Sequence, residues 1–533
     1  MKRPAGTWKK ALANVVLSLS LIAAGSSAAL AVDSSAWVTG VSGKPLSEVT
    51  VAAGSGLYGD EIGFAADARF RSPEGIAVLP SGGILVADTE NQVIKLVRNG
   101  VVAVYAGLTF EVDQYGLPLG GLVDGTRQLS VFQLPAGLAV NAAGNIYVAE
   151  AGNHVIRKID TSGNVSVFAG SPIGALGDAD GRGTEARFHR PSAVAVDPSG
   201  NVYVADTLNH TIRKIAPDGT VTTLNARSER VVEVFPGVVE TAGDFRDGPI
   251  DQALFNEPSG LALDAKGNLF VSDTGNQRIR YIDFSAGTVT TVAGSPEVVY
   301  PDGALYAEGD YIDGAAAEAA FHGPRGLAVT PEGGLLIADS LNNALRYLIG
   351  GRVVTILGDG ADGRSGTAAG TEAQAGLHRP TDVAVTADGG VLIADTYNNR
   401  IVKLALYRLP AGLAKDGSIH VIYAGSEIEF DAKPRNVNNR VLVPVRAVAE
   451  TLGYTVETDD NVNVVLTKGD VNVRLVVGSR AVIVTSGTTV ARANLDVAPF
   501  ISEDRTYVPI RFISEQLGLQ VDWNQEYRTV IIR

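Results

Sequence analysis

The chain has 533 residues, 45% hydrophobic and 19% charged, with 61 glycines, no cysteine and a formal net charge of −14. That length and apolar content exclude wholesale disorder and allow more than one packed domain. The missing cysteines exclude disulfides, thiolate metal sites and a lipidated cysteine anchor, and the acidic balance opposes binding to nucleic acid or anionic lipid.

The chain opens on a basic stretch (Lys2, Arg3, Lys9, Lys10), an apolar run from Ala11 to Ala24, and a small-x-small site at Ala29-Leu30-Ala31. This is the pattern of a secretory signal over 1–31, with an apolar run too short to span a membrane. No membrane span is expected after its removal, and losing four positive charges takes the mature chain to about −18. Residues 32–48 read as a linker.

From Phe70 to Leu404 one phrase recurs six times. In the second copy it reads Pro135-Ala-Gly-Leu-Ala-Val, a Gly-containing turn, then Ile146-Tyr-Val-Ala-Glu150-Ala-Gly-Asn153. The opening prolines are Pro73, Pro135, Pro191, Pro258, Pro324 and Pro380, at intervals of 62, 56, 67, 66 and 56 residues. A constant core with variable loops is the mark of a repeat architecture. The short apolar runs suit strands buried on both faces, and the Asp-Gly or Gly-Asn between them suits a hairpin. Asp-Thr-x-Asn after the second strand supplies side chains that bond nearby backbone in a tight turn. A third strand (Val155-Ile-Arg-Lys-Ile) and a fourth ending in Ala-Gly (Val167-Phe-Ala-Gly170) complete the unit. Four strands in each of six repeats predict a mainly β, six-bladed β-propeller over 49–406. Val49-Thr-Val-Ala-Ala-Gly54 copies the fourth-strand phrase ahead of the first blade. It is expected to complete the sixth blade and so close the ring, leaving no exposed edge.

The unit Pro-x-Gly-[Ile/Leu]-Ala-Val…Gly-Asn-[Ile/Val]-Tyr-Val-Ala-Asp-Thr-x-Asn-His-x-Ile-Arg-Lys resembles the NHL repeat. The resemblance implies a propeller that serves as a binding platform, with a minority of such propellers acting as lyases or sensor domains.

Residues 407–417 read as a linker, and 418–533 carry their own duplication. Arg440-Val-Leu-Val-Pro-Val-Arg…Leu452-Gly453 is answered by Arg505-Thr-Tyr-Val-Pro-Ile-Arg…Leu517-Gly518. Each half reads as a strand followed by a short helix with a glycine stop, giving a small α+β domain. With Phe430-Asp431…Pro434, these phrases resemble the N-terminal (stalk) domain of copper amine oxidases. Copper there belongs to a separate catalytic domain, and one histidine, His420, is too few for a copper site. The expected role is a wall-facing, adhesive or spacer module.

Two sets of candidate site residues stand out. The loops 107–130, 225–250 and 295–318 hold Tyr115, Phe245, Tyr300, Tyr306 and Tyr311, and loops on a rigid ring are where recognition resides. His189, His322 and His378 each stand two residues before a blade-opening proline, where Arg71, Gln133 and Asn256 stand in the other blades. Three imidazoles converging on a channel would suit Zn²⁺. A recurring Asp-Gly (Asp124, Asp180, Asp247, Asp313) reads as a turn, because a Ca²⁺ loop needs oxygen ligands at more positions than it offers. No nucleophile elbow, zinc-protease or dinucleotide motif is present. The sequence therefore favours a secreted or cell-wall-associated, monomeric scaffold without a cofactor, binding a protein, peptide or cell-wall glycan. The alternative is a metal-dependent lyase or hydrolase that uses the three histidines.

Overall fold

A computed structural model describes residues 38–40, 44–295, 297–358, 365–410, 412–459, 462–516 and 518–533. The predicted signal, 1–31, lies outside the described residues.

Each repeat folds into one antiparallel sheet, and six sheets form the propeller. In the second blade the strands are Pro135–Val140, Ile146–Glu150, Val155–Ile159 and Asn164–Ala169, from the channel outwards. The second strand, Ile-Tyr-Val-Ala-Glu, is buried at every position, which is why its apolar residues do not alternate. The innermost strands line the channel and touch their neighbours around the ring. A Cβ on Gly75 would lie 2.0 Å from the Ala136 carbonyl oxygen, and one on Gly260 would lie 1.9 Å from that of Arg325. The glycine of Pro-x-Gly is thus required by close approach of the next blade.

Ring closure follows the expected route. Ser47–Ala53 pairs with Arg400–Leu406 and becomes the fourth strand of the sixth blade. Each blade also gains a two-residue fifth strand, absent from the four-strand expectation. In the second blade it is Gly125–Thr126, pairing with Asn164–Val165. The recurring Asp-Gly sits there, so it serves as an outer strand and an ion-pair partner as well as a bend.

The C-terminal domain packs two short helices, α1 (Val445–Thr451) and α2 (Ile510–Glu515), on small sheets. The duplicated strands meet each other: Leu442 pairs with Pro509 and Pro444 with Tyr507. A five-stranded meander covers Thr455–Asn494. One core joins Val443, Val448, Leu466, Val508, Ile513 and Val530. This domain also grips the propeller. Arg533 bonds Glu372 beside the sixth blade at 2.8 Å and the Ser47 carbonyl oxygen at 3.0 Å. The predicted linker starts as packed chain, since the Tyr407 N–H donates to the Leu46 carbonyl at 2.8 Å. Among the described residues no helix is long and apolar enough to cross a membrane.

Candidate functional site

Strand direction sorts the connections onto two faces. Pro73 pairs with Asp88, Asp88 with Val93 and Ile94 with Ala106. The start of the first strand, the Asp-Thr-x-Asn turn and the Ala-Gly end of the fourth strand therefore share one face. The opposite face carries tight turns, such as Leu79–Gly83 and Asp197–Asn201, and the junction with the C-terminal domain at Ser47 and Leu406.

The Asp-Thr-x-Asn turn, a short 3-10 helix in five blades, organises the first face. Its buried carboxylate accepts the backbone N–H seventeen residues upstream in every blade: Arg71, Gln133, His189, Asn256, His322 and His378, at 2.7 to 2.8 Å. The slot holding three histidines is thus specified through its N–H, which explains why Arg, Gln and Asn also fill it. The Asn of the turn donates to a carbonyl thirty-two residues upstream, again in all six blades: Gly59, Gly121, Gly177, Asp244, Asp310 and Gly366. Between the Ala-Gly stop and this clamped carbonyl the chain is free to vary, and there the long loops arise.

Behind the turn lies a charge network. Arg157, Arg213, Arg280 and Arg346 are fully buried, each over a blade phenylalanine at 4.8 to 5.1 Å. Each bridges the inner carboxylate (Glu150, Asp206, Asp273, Asp339) and the Asp of Asp-Gly (Asp124, Asp180, Asp247, Asp313) at 2.6 to 2.9 Å. Burial pushes the Asp206 and Asp339 carboxyls up to about 6 and Glu150 up to about 7, against the pull of these arginines. Lys95 takes this place in the first blade, and Arg400 reaches Asp395 from two residues earlier in the sixth. These carboxylates are therefore the blades' own fastenings, as their recurrence once per blade implies.

The residue after the Asn fastens one blade to the next. Gln92, His154, His210, Gln277, Asn343 and Asn399 all have left-handed backbones. Their side chains accept the N–H of Leu134, Arg190, Glu257, Gly323, Arg379 and Ser72, at 2.6 to 3.2 Å. His154 and His210 do so through Nδ1, which requires that nitrogen unprotonated. Burial lowers the pKa of both, that of His210 to about 4.

The predicted aromatics divide. Phe245 is stacked by Arg278 and Arg280, each 4.6 Å from its ring. Tyr300 bonds Asn276 and lies 3.8 Å under Arg230, and Tyr311 donates to Thr355 at 2.8 Å. These three are half-buried and hold their loops in place, so they do not present a surface. Tyr115 is 78% exposed at a loop tip. Tyr306 is exposed, and its hydroxyl donates to Glu257 at 2.9 Å.

A hairpin unforeseen in 225–250, Val231–Phe235 and Val238–Thr241, stands on the same face with Val231, Phe235, Val238 and Val239 exposed. The alternating Val-Val-Glu-Val-Phe-Pro-Gly-Val-Val-Glu-Thr carries that signal. Arg230 ties this hairpin to the next loop through the carbonyls of Ala304 and Leu305. The same face bears a cleft of about 510 Å³ whose lining includes His189, His210, Arg227, Glu240 and Glu257, and Phe110, Val112 and Ile173 in other loops are also exposed.

The three metal-candidate histidines are not gathered. His189 meets His154 edge to face at 5.6 Å, His378 lies 5.2 Å from Tyr397, and His322 packs beside Gly309. Among the described residues no three His, Cys, Asp or Glu are placed to hold one metal ion. In the C-terminal domain His420 is buried, with Nδ1 2.6 Å from Glu427.

Comparison with known proteins agrees with this architecture. The NHL repeat family matches residues 70–95, 132–159, 188–215, 255–280 and 377–404, and the copper amine oxidase N-terminal domain matches 422–532. SUPPRESSOR OF QUENCHING 1, chloroplastic, of Arabidopsis thaliana is 31% identical over 36% of this chain and 17% of its own. Human NHL repeat-containing protein 2 is 27% identical over 54% of this chain and 40% of its own. The chain thus spans less than half the length of these relatives. An auxiliary nutrient binding protein of Bacteroides thetaiotaomicron aligns at 15% identity and TM-score 0.47, over 68% of this chain and 76% of that one, a likeness too slight to bear on function. This chain therefore carries NHL repeats followed by a copper amine oxidase N-terminal domain.

Proposed function

We propose that this protein is an exported, non-enzymatic scaffold whose loop-bearing propeller face captures a protein or peptide partner, while the C-terminal domain holds it at the cell envelope. One observation carries the reading. Long loops and a hairpin with exposed Phe110, Tyr115, Phe235 and Val239 stand on one face of a rigid ring, the face that also bears a cleft of mixed charge. Exposed apolar side chains on one face together with polar groups are the composition of a recognition surface. The carboxylates that could be taken for catalytic groups are engaged within the blades.

Photo-crosslinking in the producing cell tests this. A benzophenone amino acid at Tyr115 or Phe235 should yield a discrete adduct, and one at Ser199, on the opposite face, should not. Equal adducts from Ser199, or none from the loop positions, would overturn the assignment of the face.

A further inference from the structure

A cleft of about 650 Å³ lies in the C-terminal domain, far in sequence from the propeller loops. It opens between the two duplicated halves. One wall comes from the hairpin carrying Asn436 and Asn439, another from Arg511 at the start of α2, and the floor from Trp523 on the edge strand Val521–Asn524 and from Gln525 and Arg528 in the turn after it. Trp523 is partly packed on the core, and its indole N–H is fixed by the Gln525 side chain at 2.8 Å.

The charges around this cleft are not equally committed. Asp522 is held by Arg533 at 2.9 Å, and Arg440 by Asp496 at 2.5 Å. Among the described residues Arg511 has one ion pair, a long contact of 3.9 Å to Glu515, and its charge also reaches Asp496. The Nε of Arg528 is buried with no hydrogen-bond partner among the described residues. A buried guanidinium donor without an acceptor is costly, and an anionic ligand would relieve it. The cleft therefore offers an aromatic platform, side-chain amides and loosely paired positive charge at Arg511 and Arg528, inside a chain that is acidic overall.

We infer that this cleft binds a carboxylated sugar unit of an acidic glycan. The ring carbons of the sugar would lie on Trp523, as an amphipathic aromatic allows. Asn436, Asn439 and Gln525 would meet its hydroxyls, since each amide both donates and accepts. Arg528 and Arg511 would take its carboxylate. A neutral sugar would leave both guanidinia unanswered, so discrimination against it follows from the charge.

Fluorescence titration of the full chain tests the inference, because Trp523 reports on the cleft directly. Hexagalacturonate should shift the emission saturably, and added salt should weaken binding. Arg528→Gln and Arg511→Gln should each raise Kd about tenfold, the loss of one charge-assisted hydrogen bond, while melting as the parent does. Maltohexaose should bind at least about tenfold more weakly. The inference fails if hexagalacturonate does not bind, if maltohexaose or hexaglutamate binds equally well, or if both arginine variants keep the parental Kd.

Discussion

Arg213→Met should destabilise the propeller by about 3–5 kcal/mol, the cost of stripping one partner from a buried ion pair. The Arg213 side chain is fully buried. It donates to Asp206 and Asp180, each at 2.7 Å, and to the carbonyls of Arg187 and Ala179, each at 2.9 Å. Met fills much the same volume, so little of the loss is cavity. What remains is Asp206, fully buried, with the His189 N–H and Asn209 as its other donors. Asp180→Asn is the contrasting change. Its carboxylate is 45% exposed and Asn still accepts a hydrogen bond, so the loss should not exceed about 1 kcal/mol. Adding Asp206→Asn to Arg213→Met should recover part of the loss, because the stranded charge is gone. The assay is guanidinium unfolding followed by far-ultraviolet circular dichroism, since the repeat region 70–404 contains no tryptophan. A loss below about 1 kcal/mol for Arg213→Met, or equal losses for Arg213→Met and Asp180→Asn, would refute the reasoning.

Three further outcomes follow from the fastenings. His210 titrates near 4 in the fold and at 6.5 ordinarily, so its neutral form is favoured on folding. That contribution, about 3 kcal/mol, is fully present above pH 6.5 and is lost as pH falls to 4. His210→Asn, which copies Asn343 and Asn399, should flatten this dependence in melts at pH 7.5 and 4.5, and an unchanged slope would count against it. Gly260→Ala should cost about 1–3 kcal/mol or more by driving a methyl into the Arg325 carbonyl, whereas Gly82→Ala, at a left-handed turn with nothing within 4 Å, should cost only about 1 kcal/mol. Thr396→Val removes a 2.7 Å bond to the Pro73 carbonyl across the closing seam and should cost about 1–2 kcal/mol in the same unfolding assay.

The repeat was legible because each blade spells out its own turns and strands within a few dozen residues. Even closure could be read, because Val49–Gly54 repeats a phrase already defined elsewhere. The outer strand was not, because two residues carry no periodicity. Asp124 gains its meaning from Arg157, thirty-three residues away, a pairing that spacing alone does not announce. The histidine slot misled for a related reason. Its side chain varies while its N–H performs the repeated task, and composition displays only side chains. Loop aromatics looked alike in sequence, yet Tyr300 and Tyr311 found buried partners and Tyr115 did not. The cleft on the C-terminal domain needed Asn436, Arg511 and Arg528 to be brought together across ninety-two residues, which only tertiary structure does.

The strand Ser47–Ala53 meets its partner only after some three hundred and fifty intervening residues have been made. Until then the first blade exposes an unmatched flank and the sixth an unpaired ladder, so the nascent protein is a string of sheets with two adhesive ends. Long-range closure of this kind is slow compared with forming any single hairpin. The final step of assembly is therefore also the moment of greatest risk, when one molecule's leading strand can insert into another's last blade and yield a linked pair.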